Sequence, residues 1–187
     1  MPFAPFVGVN HHRQSILLRC ALISDEEACT FRWVFETWLR CIGNHASFAI
    51  ITNQCMSMRS ALNEVMPNTR HRWCLWHILK TFFENLRGDS EREGLKDAFM
   101  GAVFHTLSCD QFDTQWADMM SDYRLEHNSW IRSLFKDRAM WAPVYVRDAF
   151  WAGMSSTQRS ESMNASLMGI YILGALLRNL LNNTRLP

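Results

Sequence analysis

Four short stretches of this sequence carry residue types that could do chemistry. The first is "CLWH", Cys74 to His77. A C-x-x-H pair on one helical turn can offer a thiolate and an imidazole to a single cation. Zinc takes four such ligands, and its structural sites usually come as two paired halves. No second half is present, and His71, His45 or Cys55 would have to be recruited by folding. The plainer reading is a buried thiol and a hydrogen-bonded imidazole packed beside Trp73 and Trp76. The second stretch is "TRHR", residues 69–72. Arg70, His71 and Arg72 could meet phosphates, with Trp73 close by for stacking; a solvated strand end is the alternative. The third is "TQRSESMN", residues 157–164. Glu161, beside Arg159 and Ser160, could be a metal-binding carboxylate, but spacing alone favours an acid capping a helix N-terminus. The fourth is "AIITNQC", residues 49–55, where an apolar run ends in Thr52, Asn53 and Gln54. Ligands and catalytic groups gather where strands of an α/β sheet end. An acid there could hold a metal, and this chain has an amide.

The elements that must position these groups read as follows. Residues 5–23 form two strands, with "NHHRQ" as the turn and Asn10 suited to it. Residues 24–43 form a helix capped by Ser24 or Asp25, with Phe31, Val34, Phe35, Trp38, Leu39 and Ile42 at helical spacing and Gly43 at its end. Residues 47–52 form a short buried strand, and residues 55–67 form a helix stopped by Pro67. Residues 69–86 begin as a strand and become a helix by about Leu75. Residues 90–140 hold three or more helices and no strand. Residues 142–167 are a loop or short extended piece, then a polar stretch leading into a helix. Strands alternating with helices imply an α/β sheet with a parallel part, and the late helical block looks like an insertion.

Composition narrows the class. A 187-residue chain that is 48% apolar and 20% charged can bury a core and reads as a soluble globular domain. A net charge of +1 argues against a generally basic nucleic-acid binder but allows a local basic patch. The longest apolar run, residues 169–177, is too short to span a bilayer. Six cysteines without a C-x-x-C pair imply reduced thiols rather than a disulfide framework. The eight Trp and twelve Phe should mostly fill the core. No Gly-rich phosphate loop, H-E-x-x-H or G-x-S-x-G elbow is present.

Four longer stretches, in order, are "PFAPFVGVNHHRQSILLRCALISDE", "TFRWVFETWLR", "AIITNQCMSMRSALNEVMPNTRHRWCLWHILK" and "WAPVYVRDAFWAGMSSTQRSESMN". Together they resemble the Mutator-like (MULE) transposase domain of the plant far-red-impaired-response family, over roughly residues 1–166. The resemblance implies a nuclear, transposase-derived transcription regulator. It also implies an α/β, ribonuclease-H-like mixed sheet with a large all-helical insertion at about residues 88–141. Residues 1–167 would be a partial transposase domain whose N-terminal strand is missing, and residues 168–187 a divergent tail.

The resemblance also bears on chemistry. Active transposases of this kind hold two divalent metals on three acids. The family pattern after the isoleucine-rich strand is T-D-Q-D. Asn53 therefore stands at the second acid's place, and Cys55 replaces the other Asp. The first acid belongs to a strand upstream of "PFAPF", so Glu161 alone would remain. The expectation is a catalytically inactive interaction or scaffold module. The alternatives are an active metal-dependent transposase or nuclease, and a non-functional gene fragment. No cofactor is expected in this chain, because zinc belongs to the family's N-terminal and C-terminal zinc fingers. Cys74 and His77 stay weak metal candidates. Arg70, Arg72 and Arg159 are weak nucleic-acid contacts, for non-specific DNA binding at most. Partners would be other proteins, including a homo- or heterodimer partner, with no membrane.

Overall fold

A computed structural model describes residues 2–85, 92–151 and 154. The described residues divide into two compact units: residues 2–46 and 56–67 in one, residues 47–55, 68–85, 92–151 and 154 in the other.

The first unit begins with an antiparallel hairpin, β1 (Phe3–Val9) and β2 (Ser15–Leu22), with a bulge between Phe6 and Val7. Asn10 makes the turn, as its position suggested. Its side-chain oxygen accepts from the backbone N–H of His12 at 3.0 Å and of Gln14 at 2.9 Å. A short amide bonding to its own backbone two residues on is what suits Asn to turns. Helix α1 spans Ala28–Cys41 and buries Phe31, Val34, Phe35 and Trp38. On β1, Phe6 stacks on Trp38 at 4.5 Å and meets Phe35 edge-on at 6.2 Å. Helix α2 (Met56–Val65) packs against α1 and buries Ala61 and Leu62.

The start of α1 differs from the sequence expectation. Neither Ser24 nor Asp25 is the cap; Glu27 holds that position without a side-chain hydrogen bond. The Asp25 carboxylate instead accepts from the Glu27 N–H at 3.1 Å and from the Ser24 hydroxyl at 2.7 Å, and also from the Thr30 hydroxyl. These bonds build a polar turn ahead of the helix and delay its first turn. They also hold the Asp25 carboxyl below its usual range, the Ser24 bond most strongly. The far end is as expected: Gly43 takes φ +69°, the left-handed conformation glycine adopts without a Cβ clash.

The second unit holds a parallel pair, β3 (Ala49–Thr52) and β4 (Arg70–Trp73), with Ala49 opposite Arg70 and Thr52 opposite Trp73. β3 is shorter than expected and only half-buried, with Thr52 alone buried. Its only partner among the described residues is β4, which takes the buried position. The pairing is parallel, as the strand–helix–strand order implied, but the four strands among the described residues form two separate two-stranded ladders.

Helices follow, and the region from residue 92 to residue 145 contains no strand among the described residues. They are α3 (Leu75–Asn85), α4 (Arg92–Phe104), α5 (Cys109–Asp122) and α6 (Ser129–Lys136), then 3₁₀ turns at Arg138–Met140 and Pro143–Tyr145. Ser108 caps α5 by accepting from the Gln111 N–H, and Asn128 caps α6 by accepting from the Ile131 N–H, both at 3.1 Å. Each cap satisfies a donor the helix leaves open. The core between these helices is aromatic. Phe99 stacks on Phe82 with centroids 3.6 Å apart and touches Trp116 and Trp141; Phe112 meets both of those indoles. Phe82, Phe99 and Phe112 are fully buried. Trp141 donates its indole N–H to the Leu134 carbonyl at 2.9 Å, which removes the cost of burying that donor.

Candidate functional site

The strand end where Asn53 sits is built by β3 and β4 together. The Cys74 N–H donates to the Thr52 carbonyl at 2.7 Å and continues the ladder one step past both strands. Thr52 is buried, and its hydroxyl lies 2.9 Å from His71 Nε2 and donates to the Asn53 carbonyl at 2.7 Å. A hydroxyl has one hydrogen. With that hydrogen on the Asn53 carbonyl, Nε2 must carry the imidazole proton and donate to Thr52. A polar chain thus runs from His71 on β4, through Thr52, to the backbone of Asn53. The Asn53 side chain is exposed and Cys55 is half-buried.

The "TRHR" stretch does something its composition did not suggest. Residues two apart on a strand share a face. Arg70 reaches Tyr145 and Asp148 and Arg72 reaches Trp151 and Met154, while His71 reaches Thr52. Arg70 pairs with Asp148 at 3.1 Å and donates to the Tyr145 carbonyl at 3.3 Å. Arg72 is 7% exposed. Its guanidinium lies over the Trp151 ring, 4.3 Å from the centroid, and donates to the Met154 carbonyl. Burial pushes its pKa down, partly offset by the nearby Cys74. All three basic side chains therefore make internal contacts. Arg159 and Glu161 lie outside the described residues, as do residues 168–187.

Cys74 is fully buried immediately before α3, and His77 is half-buried on its first turn, its ring edge-on to Trp76 at 5.1 Å. Among the described residues, no group of three or more His, Cys, Asp or Glu is placed to hold a metal. None of the six cysteines is in a disulfide. A second tie lies within the helical block: Arg138 grips Asp113 with two bonds, at 2.7 and 2.9 Å, and the Tyr145 hydroxyl donates to Asp113 at 2.7 Å. Burial raises the Tyr145 pKa, and its bond to Asp113 adds to the rise.

Sequence reasoning missed Thr52, Tyr145, Asp148, Trp151 and the Met154 carbonyl as partners of these motifs. The contacts of Arg70 and Arg72 span 75 to 82 residues, and no local spacing announces them.

Residues 1–81 match the MULE transposase domain family. Protein FAR-RED IMPAIRED RESPONSE 1 of Arabidopsis thaliana is 42% identical over 168 residues, 88% of this chain. The chain belongs to the MULE-derived far-red-impaired-response family. Protein FAR1-RELATED SEQUENCE 5, from the same plant, is 40% identical over 90% of the chain, and Protein FAR1-RELATED SEQUENCE 4 is 36% identical over 92%. The chain spans about a fifth of the length of these relatives: 20%, 22% and 24% of them in turn. Among the described residues, no helix of this family member is long and apolar enough to cross a membrane.

Proposed function

We propose that this chain is a catalytically inactive, transposase-derived domain that serves as a protein-interaction module in a nuclear transcription regulator. The observation that carries the reading is Asn53 at the end of β3. By the resemblance, this is where an active relative holds its second acid. An amide oxygen is neutral, and Cys55 two residues on offers a soft sulfur; a pair of hard divalent cations such as Mg²⁺ is held chiefly by carboxylate charge, which neither side chain supplies. These donors do not fit the two-metal centre, and no step is routed through it.

The ribonuclease-H-like architecture is part of the same proposal. The parallel β3–β4 pair and the helical block after α3 support it, with the block read as an insertion at about residues 88–141. Weak, non-specific DNA binding follows from the internal engagement of Arg70 and Arg72 and from the net charge of +1. Sequence recognition and zinc would then belong to other parts of a longer family protein.

The experiment is cleavage and strand transfer on end-bearing duplex DNA with Mg²⁺ or Mn²⁺. The expected result is no activity, because the neutral Asn53 amide brings no charge to a divalent cation. Mn²⁺-dependent cleavage abolished by Glu161→Ala overturns the proposal.

A further inference from the structure

A guanidinium that is 7% exposed needs a reason to be charged there. Among the described residues no carboxylate pairs with Arg72, and its Nε has no acceptor. What it has is the Trp151 ring beneath it and the Met154 carbonyl in front of it. Trp151 in turn donates its indole N–H to the carbonyl of buried Val146 at 2.6 Å, and the Met154 N–H donates to the Trp151 carbonyl at 2.8 Å. We infer that Arg72 is a positioning residue: a latch, fixed on β4, that fastens the chain at Trp151 and Met154 through the indole face and the Met154 carbonyl.

Three features single out Arg72 for this role. Arg70, on the same strand face, pairs with Asp148, but that pair is surface-exposed, with side chains 35% and 60% accessible. Exposed pairs of that kind contribute little. The Arg72 guanidinium is buried and the Trp151 ring half-buried, and a cation over an indole is worth more there than at an exposed site. A planar guanidinium can also stack and donate sideways at once, which an ammonium cannot. The latch therefore acts on the stretch of chain that precedes Glu161 in sequence, and not on a nucleic acid. It holds whether or not the domain is catalytic.

The test uses the full 187-residue chain. Chymotryptic cleavage after Phe150, which is 79% exposed, requires the surrounding segment to leave its seat. Arg72→Met should raise that cleavage rate about tenfold or more, and Arg72→Lys should not restore it. Trp151→Leu, which leaves β4 untouched, should give a similar rise, and the double variant should exceed neither single variant by much. Indole hydrogen exchange separates latch from general instability. The Trp151 N–H should exchange faster in Arg72→Met, while the Trp141 N–H, held by Leu134 in the helical core, keeps its rate. Equal acceleration of both indoles, full rescue by Arg72→Lys, or additive effects of the two substitutions would overturn the inference. So would unchanged cleavage accompanied by a loss of duplex-DNA retention, which would return Arg72 to the role of phosphate contact.

Discussion

Replacing Asp113 by Ala removes the centre of the tie between α5 and the two 3₁₀ turns. Arg138 loses two charge-assisted bonds, and the Tyr145 hydroxyl loses its acceptor. Arg138 keeps its bonds to the Phe135 carbonyl and the Tyr145 oxygen, and its seats over the Phe135 ring at 4.2 Å and the Tyr145 ring at 5.3 Å. Breaking a fully buried pair from one side costs about 3–5 kcal/mol, and breaking an exposed one less than about 1. Here the side chains are 27% and 36% exposed, so water reaches both. An intermediate cost of about 2 kcal/mol follows, or a Tm lower by about 4–8 °C in a chain of this size. Two compact units need not unfold together. The melt should therefore be paired with native-state amide exchange on α5. The internal standard is Arg32→Ala, which breaks an ion pair of 2.6 Å whose side chains are 44% and 53% exposed. That variant should lose less than about 0.5 kcal/mol despite the shorter distance. If the two variants lose equal stability, partial burial and bidentate geometry do not decide the strength of these pairs, and the reasoning fails.

Phe99→Ala should cost about 3–5 kcal/mol, because the ring is fully buried and touches Phe82, Trp116 and Trp141; a loss below about 1 kcal/mol in chemical denaturation would contradict that packing. Thr52→Val keeps the shape but removes the hydroxyl that faces His71 Nε2, and should cost about 1–3 kcal/mol, whereas Asn53→Ala leaves the backbone carbonyl in place and should be nearly neutral by the same measurement. The folded-state pKa of Tyr145 is raised, so its contribution is present below the unfolded value, near 10, and is lost as pH rises through the folded value. Alkaline titration should show stability falling above that range, and Tyr145→Phe should flatten this part of the curve. For Asp25 the sign reverses: its pKa is lowered, so its contribution is present above 3.8 and disappears as pH falls through the folded value, which an Asp25→Asn acid titration would show.

Much of the local structure was fixed by short-range chemistry and could be read directly. Asn10 bonds to its own backbone, so the hairpin turn depends on five residues. The apolar positions of α1 recur at helical spacing, so its buried face follows from the chain alone. The change from strand to helix at Leu75 likewise shows in the residues, because the apolar pattern switches period there. The start of α1 was not legible in the same way: Asp25 has cap chemistry, and only the folded turn shows its carboxylate spent on Ser24, Glu27 and Thr30. The site divides along the same line. Sequence determined that an amide and not an acid follows Thr52, and that two arginines flank His71. Tertiary structure alone decided what those arginines hold. A cation in sequence is equally suited to phosphate, carboxylate, carbonyl or indole, and the choice among them depends on which groups folding brings within a few ångströms. For Arg72 those groups come from more than seventy residues away, and they turn a basic motif into an internal fastening.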